Sequence, residues 1–328
     1  MTNPFLVPNY LKTDKLEHRA TRDGYGEGLV EAGKKDPRVV VLCADLTDST
    51  RSTAFKQAFP DRFIQMGIFE QAMTSIAAGL SMAGKIPFIA SYAMFCPGRS
   101  WEQVRTNLCL NETKVIIAGA HSGVSVGPDG ATHQAIEDIA LMRVLPNMTV
   151  IAPSDSVETK KATLAALDVP GPVYLRFTRE KTPIFTTTKT PFKVGQAEVY
   201  RDGKDVAIIA CGPLLHQALL AAEELKKHRI QARVINCHTI KPLDQKTIAE
   251  AAKECGAIVT VEEHQRIGGL GGAVAELLAT TYPVPMEFIG VDDQFGESGT
   301  PDELLEHFHL TAPWIVRAAV KAINRKKG

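Results

Sequence analysis

Short apolar runs and longer amphipathic stretches take turns along this chain. β-Branched runs at 39–44, 86–91, 114–120, 149–152 and 172–177 predict strands, with helical patterns between them. In the stretch 69–82, apolar residues stand at 69, 72, 73, 76, 77 and 80, the 3.6-residue period of a helix with one buried face. Stretches 99–110, 134–145 and 155–167 complete the first set. A threonine-rich segment, KTPIFTTTKT at 181–190, interrupts the alternation and reads as a linker. Beyond it the pattern restarts, with strands at 206–211, 232–236, 257–261 and 286–291 and helices at 214–227, 244–254, 270–280 and 312–324. Strand–helix alternation of this kind predicts parallel βαβ units. The expectation is two three-layer α/β/α domains, residues 1–187 and 188–328.

Composition narrows the class of protein. The chain has 328 residues, 37 basic and 37 acidic, so the net charge is zero and nothing favours nucleic acid or an anionic membrane as a partner. Six cysteines lie scattered without a CxxC pair or zinc spacing, as small core residues in a reducing compartment do. No apolar run reaches membrane-spanning length, and the first residues lack a signal-peptide core. A soluble, cytoplasmic protein is expected.

In parallel sheets, ligands sit where strands end and loops lead into helices. Four polar clusters occupy such places: 45–49, 92–95, 121–133 and 176–179. The densest, AHSGVSVGPDGATHQ at 120–134, carries His121, Asp129, His133 and three glycines, with Thr132 a candidate helix cap. Loop histidines can bond hydroxyls or carry protons near neutral pH, and glycine lets backbone approach a ligand. Alone, the same loop could be an ordinary glycine-rich connection; its length favours function. Glu70, at the start of the 69–82 helix, is by itself a carboxylate in a helix dipole. Tyr92 and Phe95 in SYAMF are by themselves a core aromatic pair. The glycines of GGLGG, 268–272, lack the third glycine of a dinucleotide loop, since Val274 stands there, and GYGEG at 24–28 follows no predicted strand.

Taken together, these segments resemble the transketolase family from about Lys15 to the end. The 121–134 loop is similar to the family's signature, which runs through Gly-Glu-Asp-Gly-Pro-Thr-His-Gln, and keeps its spacing at His121, Asp129 and His133. Ser122, Pro128 and Ala131 depart from it. MGIFEQAM at 66–73 is similar to the family's Gly-Ile-Arg-Glu-His-Ala-Met. The resemblance implies that Glu70 meets the aminopyrimidine ring of thiamine diphosphate and shares a proton with it, in an apolar setting supplied by Ile68, Phe69 and Met73. It implies that Phe95, with Tyr92 before it, stacks on that ring, and that Asp45 supports the cofactor pocket or a dimer contact. His121 and His133 are then substrate-binding proton carriers, and Asp129 holds a donor hydroxyl. Arg22, Ser49 and Arg179 bind the sugar phosphate, with Arg176 an alternative to Arg179. Arg99 and Trp101 fall where the segment departs from the family pattern and receive no role.

The family's diphosphate anchor is missing. No Gly-Asp-Gly occurs, and no metal site stands out. The resemblance therefore implies a partner subunit that carries that motif and holds the diphosphate with Mg²⁺ or Ca²⁺. The expected assembly is α2β2, and self-association of this chain is plausible. The implied activity is transfer of a two-carbon ketol unit from a ketose phosphate to an aldose phosphate, as in the pentose phosphate pathway, with the chain inactive alone. Two related activities compete. A 1-deoxyxylulose-5-phosphate synthase shares much of the loop but usually has aspartate in place of His121. The β subunit of a 2-oxoacid dehydrogenase is split similarly but lacks the DGATHQ pattern. A non-catalytic scaffold subunit is the reading from another class.

Overall fold

The computed structural model describes residues 5–327; residues 1–4 and Gly328, at the outer ends of the two expected domains, lie outside it. The alternating pattern resolves into two main sheets. The first has seven strands in the order Thr239–Lys241, Thr149–Ile151, Val173–Arg176, Ile116–Ala120, Ile86–Tyr92, Val39–Cys43, Phe63–Gln65. Six run parallel, and only Thr239–Lys241 is antiparallel. Side-chain alternation along each strand builds a core on both faces. Val40 and Leu42 pack with Met73 and Ala77 of the Glu70–Met82 helix, while Val39, Val41 and Cys43 pack with Tyr25 and Leu29 of the Thr21–Lys35 helix.

The second sheet runs Met286–Val291, Ile258–Gln265, Val206–Ala210, Ala232–Asn236, Glu198–Arg201, with the last strand antiparallel. Helices Gln245–Cys255 and Leu270–Thr280 cover one face, and Leu214–Lys227 with Ala312–Lys327 the other. A single hydrophobic cluster passes between the sheets, joining Leu42 and Ile117 to Ile209, Ile235 and Leu270. All six cysteines are buried and unpaired.

The structure departs from the sequence pattern at several places. Lys181–Pro183, read as linker, pairs antiparallel with His18–Ala20. Phe185 and Thr186 are buried, and the Asp155 carboxylate accepts from both of their backbone N–H groups, at 3.0 and 2.7 Å. A strand does therefore precede the GYGEG glycines, but these lie inside the Thr21–Lys35 helix. The expected 99–110 helix is a short turn, Trp101–Gln103, that widens into π-helical Val104–Cys109, where the Leu110 N–H donates to the Arg105 carbonyl. In the 134–145 stretch only Asp138–Arg143 is helical. Residues before it are held elsewhere: Ala135 bridges to Ser122, and the Ile136 carbonyl accepts from the Gln265 N–H. Thr132 caps no helix; its hydroxyl bonds His133 Nδ1 at 2.9 Å.

Candidate active site

Strand ends in the first sheet carry the predicted clusters to one edge. Glu70 opens its helix 1% exposed. Ser91, on the neighbouring strand Ile86–Tyr92, donates its hydroxyl to Glu70 Oε1 at 3.1 Å, and Arg99 donates Nη1 to Oε2 at 2.7 Å. Of the three apolar neighbours expected around this carboxylate, Met73 is buried, but Ile68 is 72% and Phe69 60% exposed. The chain thus surrounds Glu70 with a hydroxyl and a guanidinium, not with a closed apolar pocket.

Four rings meet beside it. Tyr92 stacks on His121 at 4.0 Å between centroids and lies nearly parallel to Phe95 at 6.0 Å. His133 presents an edge to Phe95 at 5.4 Å and to Tyr92 at 6.2 Å. The Arg99 guanidinium lies 4.7 Å from the Phe95 centroid, so one cation touches both Glu70 and Phe95.

His121 follows directly on the strand Ile116–Ala120 and lies in the left-handed region, φ 57°. A histidine pays steric strain there, and such strain concentrates at functional sites. Arg22 Nη1 donates to His121 Nε2 at 3.3 Å and to the Ser49 carbonyl at 3.1 Å. Because the arginine can only donate, Nε2 accepts and the proton belongs on Nδ1. That Nδ1 is buried without a partner among the described residues, as is Arg22 Nε. Burial first, then the positive charges of Arg22, Arg179 and Arg51, push the His121 pKa down to about 3. A neutral imidazole with an unanswered N–H, next to an arginine with an unanswered N–H, suits a polar ligand carrying hydroxyls and negative charge.

Arg179 Nη1 lies 3.5 Å from Asp129 Oδ2 and donates to the Val126 carbonyl at 3.0 Å, so these two predicted residues meet each other. Arg176 is committed elsewhere. It is buried against Asp138 at 2.8 Å and donates to the Glu263 carbonyl at 2.8 Å, which leaves Arg179 as the arginine at the site's edge. Ser49 meets Arg22 through its carbonyl. Asp45, exposed at φ 59°, accepts from Gln65 Nε2 at 2.8 Å. Glu70, Tyr92, Phe95, His121, His133, Arg22 and Ser49 therefore form one contiguous set, Asp129 and Arg179 a second pair, while Asp45 meets Gln65.

Two contributors were not evident from sequence. Ser91 carried no signal beyond its place at the end of a strand. Arg99 stood in the segment that departs from the family pattern; its neighbour Trp101 donates to the Leu141 carbonyl at 2.9 Å and anchors that segment. The second domain reaches the site as well. Its strand Ile258–Gln265 runs past the expected end at 261, bringing Glu263 to accept from the Ser125 N–H at 2.6 Å. Gln134 donates to the Glu297 carbonyl at 2.8 Å. At GGLGG the Glu262 carboxylate already takes the helix N-terminus, accepting from the N–H groups of Leu270 and Gly271 at 2.7 and 2.8 Å, where a phosphate would otherwise bind. Among the described residues, no three His, Cys, Asp or Glu side chains converge as metal ligands, and no helix is long and apolar enough to cross a membrane.

Comparison with known proteins matches this architecture to one family. Residues 17–184 match the transketolase pyrimidine binding domain, and residues 195–315 the transketolase C-terminal domain. A putative transketolase C-terminal section from Methanocaldococcus jannaschii is 42% identical over 94% of this chain and 98% of its own length. A 6-deoxy-6-sulfo-D-fructose transketolase subunit from Clostridium sp. MSTE9 is 41% identical over 99% of both chains. Among solved structures, a split gene transketolase, described as an inactive beta4 tetramer, superposes with a TM-score of 0.88 at 47% identity, over 94% of this chain and 99% of that one. The chain belongs to the transketolase family, as the C-terminal, pyrimidine-binding section of a split enzyme.

Proposed function

We propose that this chain supplies the pyrimidine-binding and sugar-binding half of a thiamine diphosphate-dependent transketolase. It acts with a partner subunit that holds the diphosphate and its metal. The observation that carries the reading is the continuous run from buried Glu70 through Phe95 to His121 and Arg22.

The donor set fits the cofactor's pyrimidine end: a carboxylate for a ring nitrogen and an aromatic face for the ring. When bound, thiamine diphosphate supplies a thiazolium carbon that accepts the two-carbon ketol unit. This chain's residues do the rest. Glu70 holds the ring nitrogen and shares a proton with it, and Phe95 orients the ring with Tyr92 behind it. Arg22, with its free Nε, draws the sugar's anionic tail toward Ser49, and Arg179 adds charge at the rim. His121, held neutral by burial, donates from Nδ1 to a substrate hydroxyl, and His133, beside Tyr92 and Phe95, joins it in binding hydroxyls and carrying protons. Asp129, steadied by Arg179, receives the donor hydroxyl.

An arginine pocket recognises a phosphate or a sulfonate by the same charge and geometry. The test therefore mixes the purified chain with a Gly-Asp-Gly-bearing partner, thiamine diphosphate, Mg²⁺ and ribose 5-phosphate. Xylulose 5-phosphate and 6-deoxy-6-sulfofructose are offered in parallel as donors. Ketol transfer from either, only with both chains present, is the expected result. Turnover by this chain alone would refute the shared-site reading. Consumption of pyruvate with glyceraldehyde 3-phosphate in their place would identify the synthase reaction instead.

A further inference from the structure

Arg99 stands where a ligand for Glu70 and Phe95 has to go. Its guanidinium makes a 2.7 Å bond to Glu70 Oε2 and lies 4.7 Å from the Phe95 ring centroid. The other Glu70 oxygen is taken by Ser91 at 3.1 Å. The other ring neighbours of Phe95 are Tyr92, nearly parallel, and His133, edge-on. Arg99 fills an approach that reaches the ring and the carboxylate together. A guanidinium is flat, apolar on its faces and lined with N–H donors at its edge. An aminopyrimidine that bonds a carboxylate through a ring N–H and stacks on an aromatic ring presents the same surfaces in the same order.

We propose that Arg99 is an internal stand-in for the cofactor's aminopyrimidine ring, occupying the ring's place on Glu70 and Phe95 until the cofactor displaces it. The inference rests on the reading of Glu70 and Phe95 as the pyrimidine site. Arg99 is built to leave. Its side chain is 45% exposed against 1% for Glu70, and it sits in an irregular segment between the Ile86–Tyr92 strand and Trp101. Swinging outward costs the arginine little hydration, whereas Glu70 cannot follow it. With Arg99 gone and nothing in its place, the buried carboxylate would lack a counter-charge, so the site alternates between arginine and ligand. A self-occupied site binds more weakly by the fraction of time it is open.

The test uses the full chain alone, with 4-amino-5-hydroxymethyl-2-methylpyrimidine as probe and binding followed by ligand-observed NMR. The wild type is compared with Arg99→Ala, Arg99→Gln and Glu70→Gln, each checked for folding by circular dichroism. Arg99→Gln keeps a hydrogen-bond donor near Glu70 but removes the planar cation, and so remains informative if the alanine variant is unstable. Expected is binding about tenfold tighter in Arg99→Ala, a smaller gain in Arg99→Gln, and loss in Glu70→Gln. Binding that depends on Glu70 yet is equal or weaker without Arg99 overturns the stand-in while leaving the pyrimidine reading intact. The arginine would then be part of the binding surface. No binding in any form, or binding indifferent to Glu70, removes the pyrimidine reading and the stand-in with it.

Discussion

Glu70 sits in a one-sided arrangement: a buried carboxylate held by a half-exposed arginine. Removing the buried member leaves Arg99 free in solvent, so Glu70→Gln creates no stranded interior charge. We expect it to leave the melting curve nearly unchanged while lowering kcat of the assembled enzyme by about 100-fold or more; wild-type turnover would disprove the assignment. His121 makes a different prediction. Its pKa falls from 6.5 to about 3 on folding. Between those values the unfolded chain binds the extra proton, so the residue contributes stability above pH 6.5 that is lost as pH drops toward 3. Urea midpoints should therefore decline more steeply over that interval in the wild type than in His121→Asn. His238, also buried and lowered to about 4, titrates equally in both proteins. Equal slopes would show that His121 is not held neutral. Resemblance to family motifs, and not residue type alone, singled out Glu70, His121 and His133 as candidates in the sequence, and the fold brings the three to one place. Arg99 was not visible, because its role depends on where a long side chain folds back.

The helix Thr21–Lys35 shows why some elements escape pattern reading. Its glycines at 24, 26, 28 and 33 lower helix propensity and erase the apolar stripe. The reason for them is tertiary. A Cβ on Gly24 would fall 1.8 Å from the Ser156 carbonyl oxygen, and one on Gly28 would fall 2.8 Å from Thr163 Cβ. The helix lies against Ser156–Ala165 at a distance only glycine allows. In an open helix, Gly→Ala stabilises by about 0.5–1 kcal/mol. Gly79, with open space around it on the Glu70–Met82 helix, should follow that rule on alanine substitution. Gly24→Ala should do the reverse and cost about 1–3 kcal/mol through overpacking. Opposite shifts in thermal midpoint are expected, and shifts of the same sign would contradict the close-packing account. By contrast, Leu214–Lys227 and Leu270–Thr280 were readable residue for residue, since their apolar faces meet a flat sheet.

Across the whole molecule, the two α/β units are less separable than a linker near 187 suggests. Strand Thr239–Lys241 leaves the second unit to pair with Thr149–Ile151 of the first sheet, and one hydrophobic cluster spans both. Such crossings are invisible to local patterns, because a three-residue edge strand carries too little periodicity. The same coupling reaches the chemistry: Glu263, from the second sheet, holds the Ser125 N–H of the loop that bears His121, Asp129 and His133. Glu263→Ala leaves that buried N–H without an acceptor, at a cost of about 1–3 kcal/mol. It should speed amide exchange at Ser125 and lower kcat/KM about tenfold or more, although Glu263 touches no ligand. Unchanged exchange at Ser125 would mean the second domain does not steady the loop.

The buried cysteines have a practical consequence. Desolvation lifts Cys96 and Cys237 to about 12 and Cys109 and Cys255 to about 11, and raises Cys43 and Cys211 as well. Thiols so placed are slow toward alkylating dyes. A single cysteine introduced at exposed Met82 or Ile68 would take the label, giving a fluorescent reporter of subunit docking on an otherwise unaltered chain.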